Sequence, residues 1–397
     1  MKKNKILFLV DKMENGGAER QMLKIASLYS NENTIEITSL FTPTQSMLNK
    51  VKALNFVYIP LQTKSFSGTI GKIRQLFASY NVLKSVIKNG NYFAVFSFLE
   101  WSNVLSISAI NSCKKTHQIK SFLNVRNYLS NQYGSKSGLK LFLAKKILAY
   151  QYNQANLVIC NSNAIKQDLV NNFDISHTNV KVIYNSLNLQ KITADSQSNI
   201  EPKATNNNDL TFITCGRLVD QKQVHSLLHS FHKYNLVTNR NDQLLIIGDG
   251  EHKESLTNII SKHKINATLL GNQDNVAAWF YRADCFLLNS YFEGFPNVLA
   301  EAIALGTYSI VADCLSGPRE IMTNFEITDY SLTLPSVYKT QLGVLYQSQQ
   351  NTNAINPYLV EALQQSTKNI KAHSKSNIKT QLHNPEFGIT PWLTLLQ

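Results

Sequence analysis

Two carboxylates, Glu293 and Glu301, stand eight residues apart in "EGFPNVLAE", with Gly294, Phe295 and Pro296 following the first. Proline is favoured at the first helical position and glycine just past the end, so this stretch predicts a helix from Pro296 to about Leu305, stopping at Gly306. The preceding Phe295 has no side-chain oxygen to cap the first N–H groups, which leaves them for another acceptor, and a phosphate is the natural one. Glu301 then lies ~7.5 Å along the axis, a step that suits a ribose whose vicinal hydroxyls a carboxylate accepts. Glu293, on the loop side, would meet the sugar end of the same ligand. The plainer reading of both glutamates is solvated charge at a helix start.

Other residues of chemical interest also follow apolar runs. Arg217 and Lys222, in "CGRLVDQKQVHSLLHSF", put two cations five residues apart just beyond such a run. A guanidinium fork and a compact ammonium suit a diphosphate, although a solvated basic loop has the same composition. Gly16 and Gly17, after Asn15 in "NGGAER", let backbone approach an anion at a helix start, or form a tight turn. Gly248 and Gly250 bracket a turn in "IIGDGE", as in many nucleotide-binding folds, which makes Gly248 a donor-binding candidate, although such a turn is structural at least as often. "VADCLSGPREIM" ends another run in a Ser-Gly-Pro turn, where Glu320 either reaches the ligand or starts the next helix.

The elements that must position these groups alternate in type along the chain. Short β-rich runs ("KILFLV", "IEITSLF", "FAVFSF", "IKSFLNV", "LVICNS", "VKVIYN", then "LTFITCG", "QLLIIGDG", "ATLLG", "DCFLLNS", "YSIVAD", "LGVLY") are separated by helical patterns. That alternation predicts an α/β protein of two doubly wound, Rossmann-like domains, with ligands at the carboxyl ends of the strands in a cleft they share. The division expected is a first domain over 1–190, a polar linker over 191–209, a second domain over 210–375, and a closing segment, 376–397, apolar enough to dock back on the fold.

Composition narrows the class. The apolar run in "MKKNKILFLVDK" is too short for a secretory signal or a membrane span, and no later run is long enough to span, so a cytoplasmic protein is expected. Cys113, Cys160, Cys215, Cys285 and Cys314 show neither CxxC nor Cys/His spacing, which points to free buried thiols rather than disulfides or zinc. Of the net +13, residues 1–190 carry 23 Lys and Arg against 8 Asp and Glu, and the remainder 16 against 18. A basic first half suits an anionic membrane surface or a nucleic acid, and no nucleic-acid module is recognisable. "SKSGLKLFLAKKILAYQ" mixes Lys136, Lys140, Lys145 and Lys146 with Leu139, Phe142, Leu143, Ile147 and Leu148, as a helix lying on a membrane would, or an ordinary amphipathic helix.

Taken together, "GGAER", "GR…QK", "GDG", "EGFPNVLAE" and "DCLSGPREI" resemble family 4 of the retaining glycosyltransferases, which have the GT-B fold. The resemblance spans most of the chain and is strongest over 211–322, where the two-glutamate motif with "SGPREI" looks most like bacterial enzymes that build lipopolysaccharide, O-antigen or capsule from UDP-sugars. It implies that Glu293 contacts the donor sugar and that Glu301 binds the ribose. The loop Gly294, Phe295, Pro296, Asn297 and Val298 would hold sugar and phosphate through its backbone, and Arg217 and Lys222 would stabilise the departing diphosphate. It also implies a donor substrate rather than a cofactor, a lipid-linked or glycan acceptor, and a protein peripheral to the inner face of the membrane. No Asp-x-Asp occurs, so a metal-independent reaction is expected. Many family members carry a histidine near the donor sugar where "SFLNVRNY" offers Arg126, a further catalytic candidate; Glu100, in "FSFLEWSN", is the acceptor-side candidate. The missing histidine also admits a second reading, a catalytically silent subunit that binds nucleotide or glycan within an assembly complex.

Overall fold

The structure, a computed structural model, describes residues 3–14, 16–61, 68–113, 119–133, 138–198, 209–350, 354–373 and 390–396. The chain divides into two compact units, Met1–Asn185 with Ile389–Gln397, and Ser186–Gly388.

The first unit is built on a seven-stranded parallel sheet: β1 (Asn4–Val10), β2 (Asn33–Ser39), β3 (Val57–Tyr58), β4 (Tyr92–Phe98), β5 (Lys120–Val125), β6 (Leu157–Cys160) and β7 (Val180–Val182), in the order β3-β2-β1-β4-β5-β6-β7. Strands covered on both faces read as continuous apolar runs, which is why "ILFLV" is buried throughout. Alternate residues feed different cores. Phe8, Phe96 and Phe122 stack on one face, with ring centroids 4.9 and 4.5 Å apart in succession, while Leu7, Leu9 and Val95 pack on the other.

The second unit repeats the plan. Its strands are β8 (Thr211–Cys215), β9 (Gln243–Ile247), β10 (Ala267–Gly271), β11 (Cys285–Leu288), β12 (Tyr308–Asp313), β13 (Val337–Thr340) and β14 (Gly343–Gln347), in the order β10-β9-β8-β11-β12-β14-β13, with β13 antiparallel to β14. The strand order reverses at β1/β4 in the first sheet and at β8/β11 in the second, and doubly wound sheets bind ligands at such a reversal, beyond the carboxyl ends of the strands.

The anticipated α/β class is present in both units, and two strands are additional to it. Val57–Tyr58 is only two residues long, and Val337–Thr340 is a half-exposed edge strand, so neither writes a strong pattern. The stretch expected to open the linker is instead partly helical: Leu189–Ser196 is a helix capped by Asn188. It packs in the second unit, where Asn275 Nδ2 donates to Asp195 O at 2.7 Å. Residues 199–208 of the expected linker lie outside those described. Of the closing segment, 376–389 also lies outside them, and the helix Thr390–Leu393 belongs to the first unit. There Trp392 is fully buried and its carbonyl accepts a hydrogen bond from the Tyr29 hydroxyl. The cysteines are unpaired; four are buried and Cys215 is half-buried.

Candidate functional site

In the second unit the loops after β8 and β11 meet where the strand order reverses. Four contacts join them. Tyr291 N donates to Gln221 O at 2.9 Å, Gln221 Nε2 to Phe292 O at 2.8 Å, and Asn289 Nδ2 to Gln223 O at 3.1 Å. The fourth is an ion pair: Lys222 Nζ lies 2.5 Å from Glu293 Oε1, with side chains 16% and 9% exposed. Asn289 is held in turn by the Tyr346 hydroxyl, which donates to its Oδ1 at 2.6 Å.

Two further loops close on these. Leu218 N donates to Asp249 O at 2.9 Å, and His252 N returns a bond to Leu218 O at 3.1 Å. Gly248 has φ +137°, and a Cβ there would sit 1.9 Å from Gly216 O. Its glycine is thus required by close packing of two loops, whatever else it touches. On the other side Ser316 Oγ donates to Gly294 O at 2.8 Å, and Glu293 N to Leu315 O at 3.3 Å. A Cβ on Gly317 would meet that same Gly294 O at 2.5 Å. The loop carrying Ser316 is anchored by buried Arg319, which grips Asp313 through Nε and Nη2 at 2.9 and 2.6 Å and donates from Nη1 to the carbonyls of Asp329 and Leu332.

The result is a small pocket lined by Gly216, Leu218, Lys222, Asn289 and Ser290. Ser290 Oγ is buried there without a hydrogen-bond partner among the described residues, as a polar atom awaiting a ligand or water would be, and so is Gln223 Nε2 on the adjoining loop. Arg217 is exposed at the same loop, with no hydrogen bond or ion pair to a described side chain.

The helix beyond Glu293 differs from expectation in one detail. It spans Asn297–Ala304, so Pro296 occupies the cap position rather than the first turn. No side chain caps it, so the absence inferred for Phe295 passes to Pro296. Phe295 is buried, and Gly294, Asn297, Val298 and Glu301 are partly accessible. Glu320 is fully buried within the short helix Pro318–Met322.

The reversal point of the first unit has a different character. Gly17 opens the helix Gly17–Tyr29 and Gly16 is its cap residue; Asn15 lies outside the described residues. Glu100 opens the helix Glu100–Ser112 after Leu99, an apolar cap residue at φ +73°. Asp11 supplies the missing cap from the end of β1: its Oδ1 accepts from both Ser102 N and Ser102 Oγ at 2.7 Å. Burial pushes the Asp11 carboxyl up to about 6, against these hydrogen bonds, which act to lower it. The Tyr133 hydroxyl donates to Glu100 Oε2 at 3.2 Å. Arg126, just past β5, is 6% exposed.

Comparison with known proteins fits this arrangement. The model for glycosyl transferases group 1 matches residues 195–337, and that for Glycosyltransferase Family 4 matches residues 15–191. The chain belongs to the family 4 glycosyltransferases. Over 268 residues it is 30% identical to the uncharacterized glycosyltransferase MJ1059 of Methanocaldococcus jannaschii, covering 65% of this chain and 64% of the relative. It is 28% identical over 247 residues to N-acetylgalactosamine-N,N'-diacetylbacillosaminyl-diphospho-undecaprenol 4-alpha-N-acetylgalactosaminyltransferase of Campylobacter jejuni, covering 61% and 64%. The matches thus span a little under two thirds of these two relatives. The crystal structure of Anabaena Alr3699/HepE in complex with UDP superposes with a TM-score of 0.68 at 16% identity, over 98% of this chain and 97% of that one, and shows the shared GT-B fold.

The structure joins Lys222 directly to Glu293 and leaves Arg217 exposed on the Lys222 loop. Sequence reasoning overlooked Ser290, Asn289 and Asp11. A lone polar residue after a strand carries no pattern, and only the reversal of strand order shows that these positions converge. Asp11 also yields a test. A carboxylate held above its unfolded value of about 3.9 binds its proton more tightly in the native state, so its contribution is greatest below that value and is lost as pH rises through about 6. Urea unfolding from pH 4 to 7 should lose about 2 kcal/mol at this group. Asp11→Asn, which can still accept from Ser102, should remove that component; an unchanged profile would show that Asp11 ionises freely.

Proposed function

We propose that this glycosyltransferase moves a hexose or N-acetylhexosamine from a UDP-sugar to a lipid-linked or glycan acceptor in bacterial surface polysaccharide synthesis, with retention and without a metal ion. The observation that carries the reading is the half-shielded Lys222–Glu293 pair at the β8/β11 reversal, with exposed Arg217 at its side. In the reaction the bond from the anomeric carbon to the diphosphate breaks, the acceptor oxygen bonds to that carbon from the same face, and the departing phosphate takes the acceptor's proton. Negative charge therefore grows on the diphosphate, where Lys222, already held by Glu293, and the exposed Arg217 oppose it. These two cations do the work for which other transferases recruit a divalent ion through an Asp-x-Asp motif, and the chain has no such motif.

Glu293 has two tasks in this scheme. It fixes Lys222 by ion pairing, and its remaining oxygen is available to a hydroxyl of the donor sugar. Glu301 takes the ribose. The acceptor belongs to the first unit, beside Glu100. The UDP held by the Anabaena protein and the diphospho-undecaprenol named for the Campylobacter relative support these two substrate classes.

The proposed cellular position is the cytoplasmic face of an anionic membrane, engaged by the basic first half. Among the described residues no helix is long and apolar enough to cross a membrane. The helix Leu139–Tyr152 supports surface binding: Phe142, Leu143, Ile147 and Tyr150 are 56%, 49%, 54% and 69% exposed, alongside exposed Lys146. Leu148, counted on the same face from sequence, instead turns into the core. Lys136 and the side chains of Leu139 and Lys140 lie outside the described residues.

Two outcomes follow. With a lipid extract as acceptor, UDP release from a panel of UDP-hexoses and UDP-N-acetylhexosamines should survive EDTA. Lys222→Ala and Glu293→Ala should each lower kcat/KM by about 100- to 1,000-fold. Unaltered rates in both variants would favour a silent binding subunit. Sedimentation with vesicles containing phosphatidylglycerol should retain the protein, and Phe142→Glu with Ile147→Glu should release it, roughly tenfold in partitioning. Equal partitioning of the double variant would place the membrane face elsewhere.

A further inference from the structure

Two arginines in this protein are buried to the same degree and treated differently. Arg319, 6% exposed, has Asp313 opposite its fork and two carbonyls on Nη1. Arg126, also 6% exposed, has no hydrogen-bond partner among the described residues on either terminal nitrogen. The titratable neighbour acting on its charge is the Cys160 thiol, not a carboxylate. What steadies it is the Phe98 ring, whose centroid lies 5.7 Å from the guanidinium carbon.

Its position is equally telling. Arg126 follows β5 at the carboxyl edge of the first sheet, and the pairing of Val125 with Cys160 sets it beside Asn161 at the end of β6. Asn161 buries an Oδ1 that also lacks a partner among the described residues. A buried guanidinium without a counter-ion is costly, and chains keep one where a ligand supplies the opposite charge. Burial draws the Arg126 guanidinium down to about 10, so it stays cationic at neutral pH. Its planar fork matches the paired oxygens of a phosphate or a carboxylate.

We propose that Arg126 is the centre of an oxyanion subsite in the first unit, taking a phosphate or carboxylate group of a substrate by a two-pronged contact, with Asn161 Oδ1 accepting from an adjoining hydroxyl. The inference rests on the transfer reaction proposed above and adds that one substrate carries an anionic group besides the diphosphate bound beside Lys222. The diphosphate of a lipid-linked acceptor and the carboxylate of a uronic acid donor share the required chemistry.

Calorimetric titration of the full chain separates these sources and tests the subsite. Farnesyl diphosphate is titrated in saturating UDP, and UDP-glucuronate is compared with UDP-glucose, using wild type, Arg126→Met and Arg126→Lys. The expected result is a loss of roughly 10- to 100-fold in Arg126→Met for one of the two anionic probes, a smaller loss in Arg126→Lys, and unchanged affinity for UDP. Loss confined to farnesyl diphosphate assigns the subsite to the acceptor; loss confined to UDP-glucuronate assigns it to the donor. Unliganded Arg126→Met should melt no lower than wild type, since no partner is broken. The subsite is overturned if wild type binds neither probe, if both variants bind as wild type does, or if Arg126→Met melts lower with both affinities intact. Failure of UDP itself to bind wild type would count against the transfer reaction; farnesyl diphosphate, titrated then without UDP, would still report on Arg126.

Discussion

The ion pair between Lys222 and Glu293 joins two loops that leave the sheet 71 residues apart in the chain. Because both side chains are largely withdrawn from water, breaking either partner would strand a charge, a loss of about 3–5 kcal/mol for a buried pair. The pair depends on the reversal of strand order that brings β8 beside β11, and on the glycines that let neighbouring loops approach. Gly248 and Gly317 act alike. Each removes a Cβ that would otherwise collide with a carbonyl of the Lys222 or Glu293 loop. The pocket is thus a product of close backbone packing, and its polar atoms are presented by loops with little freedom.

The two units solve a similar geometric problem with opposite chemistry. At the β8/β11 reversal Lys222 is shielded and paired with Glu293, and Arg217 is exposed on the same loop. At the β1/β4 reversal two carboxylates, Asp11 and Glu100, stand at the helix start, Asp11 replacing the cap that Leu99 cannot provide. Arg126 is set one strand further along the same edge, buried and unmatched.

Much of the plan was legible in the sequence because parallel strands buried on both faces write unbroken apolar runs, and the loops that follow them are where binding residues fall. Glu293, Lys222 and Arg217 could be found that way. Other features were not written locally. Pro296 reads as a first-turn residue, yet the helix begins one position later. Gly248 reads from sequence as a turn of the nucleotide-binding kind, and only the fold shows that its φ and its contact with Gly216 also make it a packing requirement. The short β3 and the antiparallel β13 lack length or burial to mark them, and the helix Leu189–Ser196 is stabilised by partners some 80 residues away. The isolation of Arg126 is a property of its surroundings, and only the fold reveals surroundings.

The central claim is that the second unit binds a uridine diphosphate through fixed cations. Thermal unfolding of the purified chain with UDP, GDP and ADP, each with and without EDTA, addresses it most directly. At 100 times its dissociation constant UDP should stabilise the native state by about 2.7 kcal/mol, selectively and regardless of EDTA. Stabilisation by no nucleotide, or one abolished by EDTA, would contradict it.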